Sequence, residues 1–131
     1  MNPSQQTSLQ VLDSLDLMVR LWNIGDIAGL LSHAGRECSG FGFWPGDQFN
    51  DIVEFREFLE RRAGRMTEVS LSDICVDAIG TISWIRGTCS FYDTDLKIQA
   101  RGRFSAVLKG TGHAWVLVHL HLSFPSGDKD C

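Results

Sequence analysis

The spacing of apolar positions changes once along the chain, near Gly64. Upstream, Leu9, Leu12, Leu15, Val19 and Trp22 recur every three or four residues, and Val11 and Met18 widen the stripe. That pattern predicts an amphipathic helix of about five turns. Asn23-Ile24-Gly25 closes it, and Asp26 can N-cap a short second helix reaching Leu31. In 35–46, glycines are interspersed with Phe41, Phe43 and Trp44, which reads as a short hairpin or a bent strand pair. Asp51 and Glu54 have the spacing of a capping box and open a third helix to about Arg62. Its apolar face is Ile52, Phe55, Phe58 and Leu59.

Downstream, four extended runs cover roughly 67–78, 81–92, 96–109 and 113–124. Ile79-Gly80, Asp93-Thr94-Asp95 and Lys109-Gly110-Thr111-Gly112 join them, and such short connections predict antiparallel neighbours. Helices first and a meander second is an α+β order, with the helices covering one sheet face. The chain reads as a single domain over 1–131, with its core at about 9–125 and short tails.

Strand alternation then assigns faces. With Val107 paired to Trp115, one face carries Leu96, Ile98, Ala100, Gly102, Phe104, Ala106 and Leu108. Opposite them lie Ala114, Val116, Val118, Leu120, Leu122 and Phe124, all without a polar side chain. This face is the core. The other pairs Arg103 with His119 and Arg101 with His121, with Trp115 and Leu117 nearer the turn. Two neighbouring cations repel a metal ion, and no carboxylate shares the face, so His119 and His121 do not read as ligands. Arg101, Arg103, Trp115, His119 and His121 instead suit a homodimer contact between sheets, where aromatic and Arg side chains are enriched. The preceding hairpin leaves two choices open. Asp73 opposite Arg86 and Cys75 opposite Trp84 form one face, and Ile74, Val76 and Ala78 against Ile85, Ser83 and Thr81 form the other.

Composition narrows the function classes. Of 131 residues, 44% are hydrophobic and 21% charged, which excludes a disordered chain. Twelve Lys+Arg against sixteen Asp+Glu leave a net charge of −4, a poor balance for neutralising nucleic-acid phosphates. No apolar run reaches the ~18 residues of a membrane span, and the polar start lacks the layout of a signal peptide. Cys38, Cys75, Cys89 and Cys131 form no CxxC pair and fit no zinc template. They read as reduced thiols of a cytoplasmic protein without a metal or other cofactor.

A long helix ending in Trp22-x-x-Gly25-Asp26, a Gly/aromatic segment, a third helix and a closing sheet resemble the cone-shaped nuclear transport factor 2-like superfamily. The tail is the most specific part: Arg103-Phe104-Ser105-x-Val107-Leu108, a turn, then Trp115-Val116-Leu117-Val118-His119-Leu120-His121-Leu122-Ser123. It is similar to SnoaL-like domains and to the association domain of calcium/calmodulin-dependent protein kinase II, as is Ile85-Arg86-x-Thr88. The resemblance implies that Arg86 points into the cone with Trp84, Thr88, Ser90 and Tyr92, and with Asp73 opposite. Two other pocket arginines of the association domain correspond to Ala106 and Leu122, which implies a more apolar pocket. The catalytic Asp of ketosteroid isomerases corresponds to Gly40, so that activity is not carried over.

Within such a cone, Asp73, Arg86 and Tyr92 are the candidate catalytic groups. Arg86 can orient a carbonyl, Asp73 can act as a base and Tyr92 can donate to an oxyanion. Phe41, Phe43, Trp44, Phe55, Trp84, Phe104 and Leu122 are the candidate substrate-binding residues. Asp47 and His33 read as a turn residue and a solvated helix-end histidine, and Glu54 lies near the cone mouth. The expected function is that of a small-molecule pocket protein: a cofactor-independent isomerase, cyclase or dehydratase acting on a hydrophobic carbonyl compound. The alternative is a non-catalytic ligand-binding or association module.

Overall fold

The computed structural model describes residues 3–44, 46–63, 68–93 and 97–123. Its helices are α1 (Gln5–Ile24), α2 (Ile27–Ser32) and α3 (Ile52–Arg62). Its strands are β1 (Ala34–Phe41), β2 (Gln48–Phe49), β3 (Glu68–Ile79), β4 (Ile82–Asp93), β5 (Ile98–Gly110) and β6 (Trp115–Ser123). They form one sheet in the order β2-β1-β6-β5-β4-β3, an α+β arrangement. β1 and β6 run parallel, whereas every other pair is antiparallel. The short-connection argument reaches only the meander, and β1 is joined to β6 by most of the chain. Leu96, Phe124, Pro45, Gly64, Thr94, Asp95 and Cys131 lie outside the described residues.

Each helix ends where its chemistry requires. The Ser4 hydroxyl accepts from the Thr7 N–H at 3.1 Å, and Gly25 closes α1 in the left-handed region at φ +74°. α1 therefore starts well before Leu9. Val11, Leu15, Met18 and Trp22 form its buried stripe, while Leu9, about 200° around the helix from Val11, is 55% exposed. Asp26 caps α2 through the Gly29 N–H, and Asp51 caps α3 through the Glu54 N–H, both at 2.9 Å. The Glu54 carboxylate completes the box one residue early, accepting from the Asn50 backbone N–H at 2.9 Å. At the end of α1, the Asn23 side chain pairs with both backbone groups of Val69 on β3, at 2.8 and 3.1 Å.

Register departs from the sequence expectation in both hairpins. In β3–β4 the turn is Gly80-Thr81, with Gly80 at φ +57° and Ile79 opposite Ile82. Cys75 therefore faces Arg86 and Asp77 faces Trp84. Asp73, at φ +53°, falls in a bulge between Ser72 and Cys75 and has no partner across the ladder. In β5–β6 Trp115 lies opposite Gly110 and Leu117 opposite Leu108, after which a bulge shifts the pairing so that Val107 meets His119. That extra residue reverses the parity of β6. Trp115 and Leu117 join Leu120 and Leu122 against the core, and Ala114, Val116 and Val118 drop out of it.

The core lies between α1, α3 and the inner sheet face. Phe49, Phe55 and Phe58 stack with centroids 4.8–6.2 Å apart, and the Trp22 ring sits 5.9 Å from Phe58. The 42–47 connection is tied down by Asp47, which is buried. Arg62 Nε and Nη2 donate to its carboxylate at 3.0 and 3.1 Å, and the guanidinium lies 4.4 Å over the Trp44 ring. Asp47 is thus a buried ion-pair partner rather than a simple turn residue.

Candidate functional site

Between helices and sheet lies a cavity of about 90 Å³. Leu15, Met18, Val19 and Trp22 line it from α1, at the one-face spacing of a helix. Leu30 contributes from α2, and Phe55 and Leu59 from α3. The sheet supplies Val69, Leu71, Cys89, Phe91, Phe104, Ala106, Leu117, Leu120 and Leu122. Among the described residues, the wall's side-chain polar groups are the Cys89 thiol, the weakly accepting Met18 thioether and the indole N–H of Trp22, and the last is buried with no acceptor.

Of the residues singled out from the sequence, Phe55, Phe104 and Leu122 line this cavity. Arg86, Trp84 and Tyr92 do not. β4 pairs residue by residue with β5, Gly87 against Phe104 and Arg86 against Ser105. Once Phe104 points inward, Arg86 must point outward, and Trp84 and Tyr92 share its parity at 37% and 38% exposure. Placement of these side chains inside the cone is therefore corrected, and the β4–β5 ladder is what decides it. Asp73 is exposed in its bulge and forms no ion pair with Arg86, so the three candidate catalytic groups do not converge.

The aromatic segment also sits elsewhere than expected. Phe41 is on the outer face, 45% exposed, with its ring 5.4 Å from His121. Phe43 stands edge-on behind Phe91 at 4.2 Å, one layer removed from the cavity, and Trp44 packs on Arg62. What the sequence reading missed is the α1 wall, because its stripe was assigned to core and not to a cavity. Gly40 faces inward opposite Leu120, and a Cβ there would collide with the Leu120 main chain and come within 2.9 Å of the Phe49 ring. In this chain a carboxylate at that position would have to displace the Leu120 main chain.

Burial pushes the Cys89 thiol up to about 11, partly offset by hydrogen bonding with the main chain of Cys89 and Gly102. Burial alone pushes Cys38 up to about 12. A raised folded-state value means that the native state resists forming thiolate, whereas the unfolded chain ionises near its ordinary value of 9.0. The stability these thiols contribute is thus fully present below pH 9 and lost as pH climbs toward 11–12. Denaturation midpoints should fall above pH 9. At pH 8 a thiol reagent should label the exposed Cys75 at once and reach Cys38 and Cys89 only on unfolding.

Among the described residues, no group of three or more His, Cys, Asp or Glu side chains could hold a metal ion, and no helix is long and apolar enough to cross a membrane. Solved structures with the same fold include an NTF2-like protein of unknown function from Pseudomonas putida KT2440. It is 17% identical, with TM-score 0.83 over 95% of this chain and 90% of that one. A candidate scytalone dehydratase from Novosphingobium aromaticivorans is 12% identical, with TM-score 0.77 over 91% and 84%. A candidate calcium/calmodulin-dependent protein kinase II association domain from Xanthomonas campestris is likewise 12% identical, with TM-score 0.77 over 88% and 86%. No curated protein matches the sequence. The sequence model of the SnoaL-like domain matches residues 11–127, and the chain belongs to that family.

Proposed function

We propose that the protein is a non-catalytic SnoaL-like module that holds one small apolar molecule between its helices and its sheet. The carrying observation is the apolar wall of the cavity. Proton-transfer catalysis needs a group that titrates near the working pH within reach of the substrate. Cys89 is driven away from that range, Arg86 and Tyr92 belong to the other side of the sheet, and Asp73 is exposed in its bulge and does not line the cavity. Fold neighbours described as candidate dehydratases favour an isomerase, cyclase or dehydratase reading, but the groups proposed for it here do not line the cavity. At about 90 Å³, the cavity is smaller than the ~150 Å³ at which an engineered apolar cavity takes up benzene, so it suits a short branched chain of a few carbons.

Titration with isobutene, followed through methyl resonances, tests the reading. Signals from Leu15, Met18, Leu117 and Leu120 should move saturably. Ala106→Leu, which fills the cavity from β5, should abolish the response while the protein stays folded. Unmoved wild-type signals at saturating probe would sink the binding reading.

The outer face supports a second proposal, self-association through the sheet. Trp84, Val107, His119 and Ser39 form one cross-strand row, and Arg86, Ser105, His121 and Phe41 the next. Compared with the sequence expectation, Trp115 and Leu117 leave this surface and Trp84, Val107 and Phe41 replace them beside Arg101, Arg103, His119 and His121. Aromatic side chains flanked by arginines suit an isologous contact. Light scattering should report a dimer that Trp84→Glu with Val107→Glu converts to monomer. A monomeric wild type defeats the proposal.

A further inference from the structure

We infer that the molecule held in the cavity carries a neutral hydrogen-bond acceptor, a carbonyl or ether oxygen on a short apolar frame, and that the Trp22 indole N–H is its donor. This rests on the binding reading above and adds the chemistry of recognition to it. Trp22 is 9% exposed, its ring forms part of the cavity wall, and Nε1 is buried without an acceptor. By contrast, the Trp115 indole N–H donates to Gln10 Oε1 at 3.3 Å. An unmade bond on a buried donor is costly, and native structures keep few of them. Phe49, Phe55 and Phe58 build the adjoining cluster with no such cost, so ring packing alone does not call for an indole at position 22.

A trapped water is a weak answer to that donor. Buried waters are held by two to four polar partners, and this wall offers one N–H, one thiol and a weakly accepting thioether. An acceptor attached to an apolar frame needs the single donor and fills the remaining space with carbon. Charge is excluded by the same wall: a carboxylate there would be stripped of water with no cation to meet it, since Arg86, Arg101 and Arg103 point away from the helices.

The test compares acetone with isobutene, which has the same shape with a CH₂ in place of the oxygen, and with acetate. In nitrogen–proton spectra of the wild type, acetone should move the Trp22 indole proton downfield. Isobutene should move the wall methyls without that shift. Trp22→Phe should reduce the preference for acetone over isobutene roughly fivefold, the worth of one neutral hydrogen bond. If both neutral probes bind while the indole proton responds alike and the preference survives in Trp22→Phe, the donor assignment is overturned and the binding reading stands. If acetate binds as well as acetone, the requirement for a neutral acceptor is overturned. If no probe moves the wall methyls, the binding reading fails and this inference fails with it. The wild-type spectra decide the matter even where Trp22→Phe does not fold.

Discussion

Adding a single methyl group at Gly40 should destabilise the protein by at least about 3 kcal/mol, at the upper end of what overpacking costs. Gly40 lies on β1 opposite Leu120 of β6, and the added carbon would be driven into the Leu120 main chain, with the Phe49 ring 2.9 Å away on the other side. Side chains can rotate away from a clash, but a strand backbone cannot move without breaking the β1–β6 ladder. Gly40→Ala should therefore lower the denaturation midpoint sharply. Gly40→Asp should do worse and yield no acid–base activity, since the carboxylate would have to displace a strand to fit. A midpoint equal to wild type would mean that β1 is free to lift from β6 and that the close approach is not needed.

Phe58→Ala should cost about 3–5 kcal/mol, the usual range for removing a buried phenyl ring. Phe58 is fully buried, with Phe49 at 5.1 Å, Trp22 at 5.9 Å and Phe55 at 6.2 Å. It does not line the cavity, but it backs the Trp22 ring that does. Probe binding should weaken along with stability. Phe41→Ala is the control: its ring is 45% exposed on the outer face, and the change should stay within about 0.5 kcal/mol in the isolated chain. Urea unfolding of the two variants side by side checks both, and equal midpoints would contradict the core assignment.

The helices and the inward parity of β5 were legible because each rests on local chemistry. Ser/Asp caps, Gly25 and the i, i+4 spacing need no knowledge of the rest of the chain. Phe104, Ala106 and Leu108 were assigned correctly because their strand alternates cleanly between apolar and polar positions. The outward face of β4 was not legible by the same means, since Trp84 and Tyr92 look as buriable as Ile85 and Phe91. Only the ladder to β5 separates them. Bulges were the other blind spot. A single inserted residue near Val118 turned Leu117 inward, while the turn at Gly80-Thr81 put Cys75 opposite Arg86 and the bulge at Asp73 took that residue out of the ladder. The cavity followed from this: its sheet wall depends on a reversed parity, and its helix wall on knowing where the core leaves space.

The Asp73 bulge and the Asn23–Val69 pairing act on the same edge of the sheet. β3 is the outermost strand on its side, and an unpaired strand edge is a template onto which further copies can add without limit. Asn23 already occupies the backbone groups of Val69. A few residues on, a carboxylate at positive φ breaks the regular spacing of the remaining N–H and C=O groups. The opposite edge, β2, is only two residues long. Both ends of the sheet thus disfavour growth into ribbons, and the self-association proposed above, through a broad face, would give an assembly that closes.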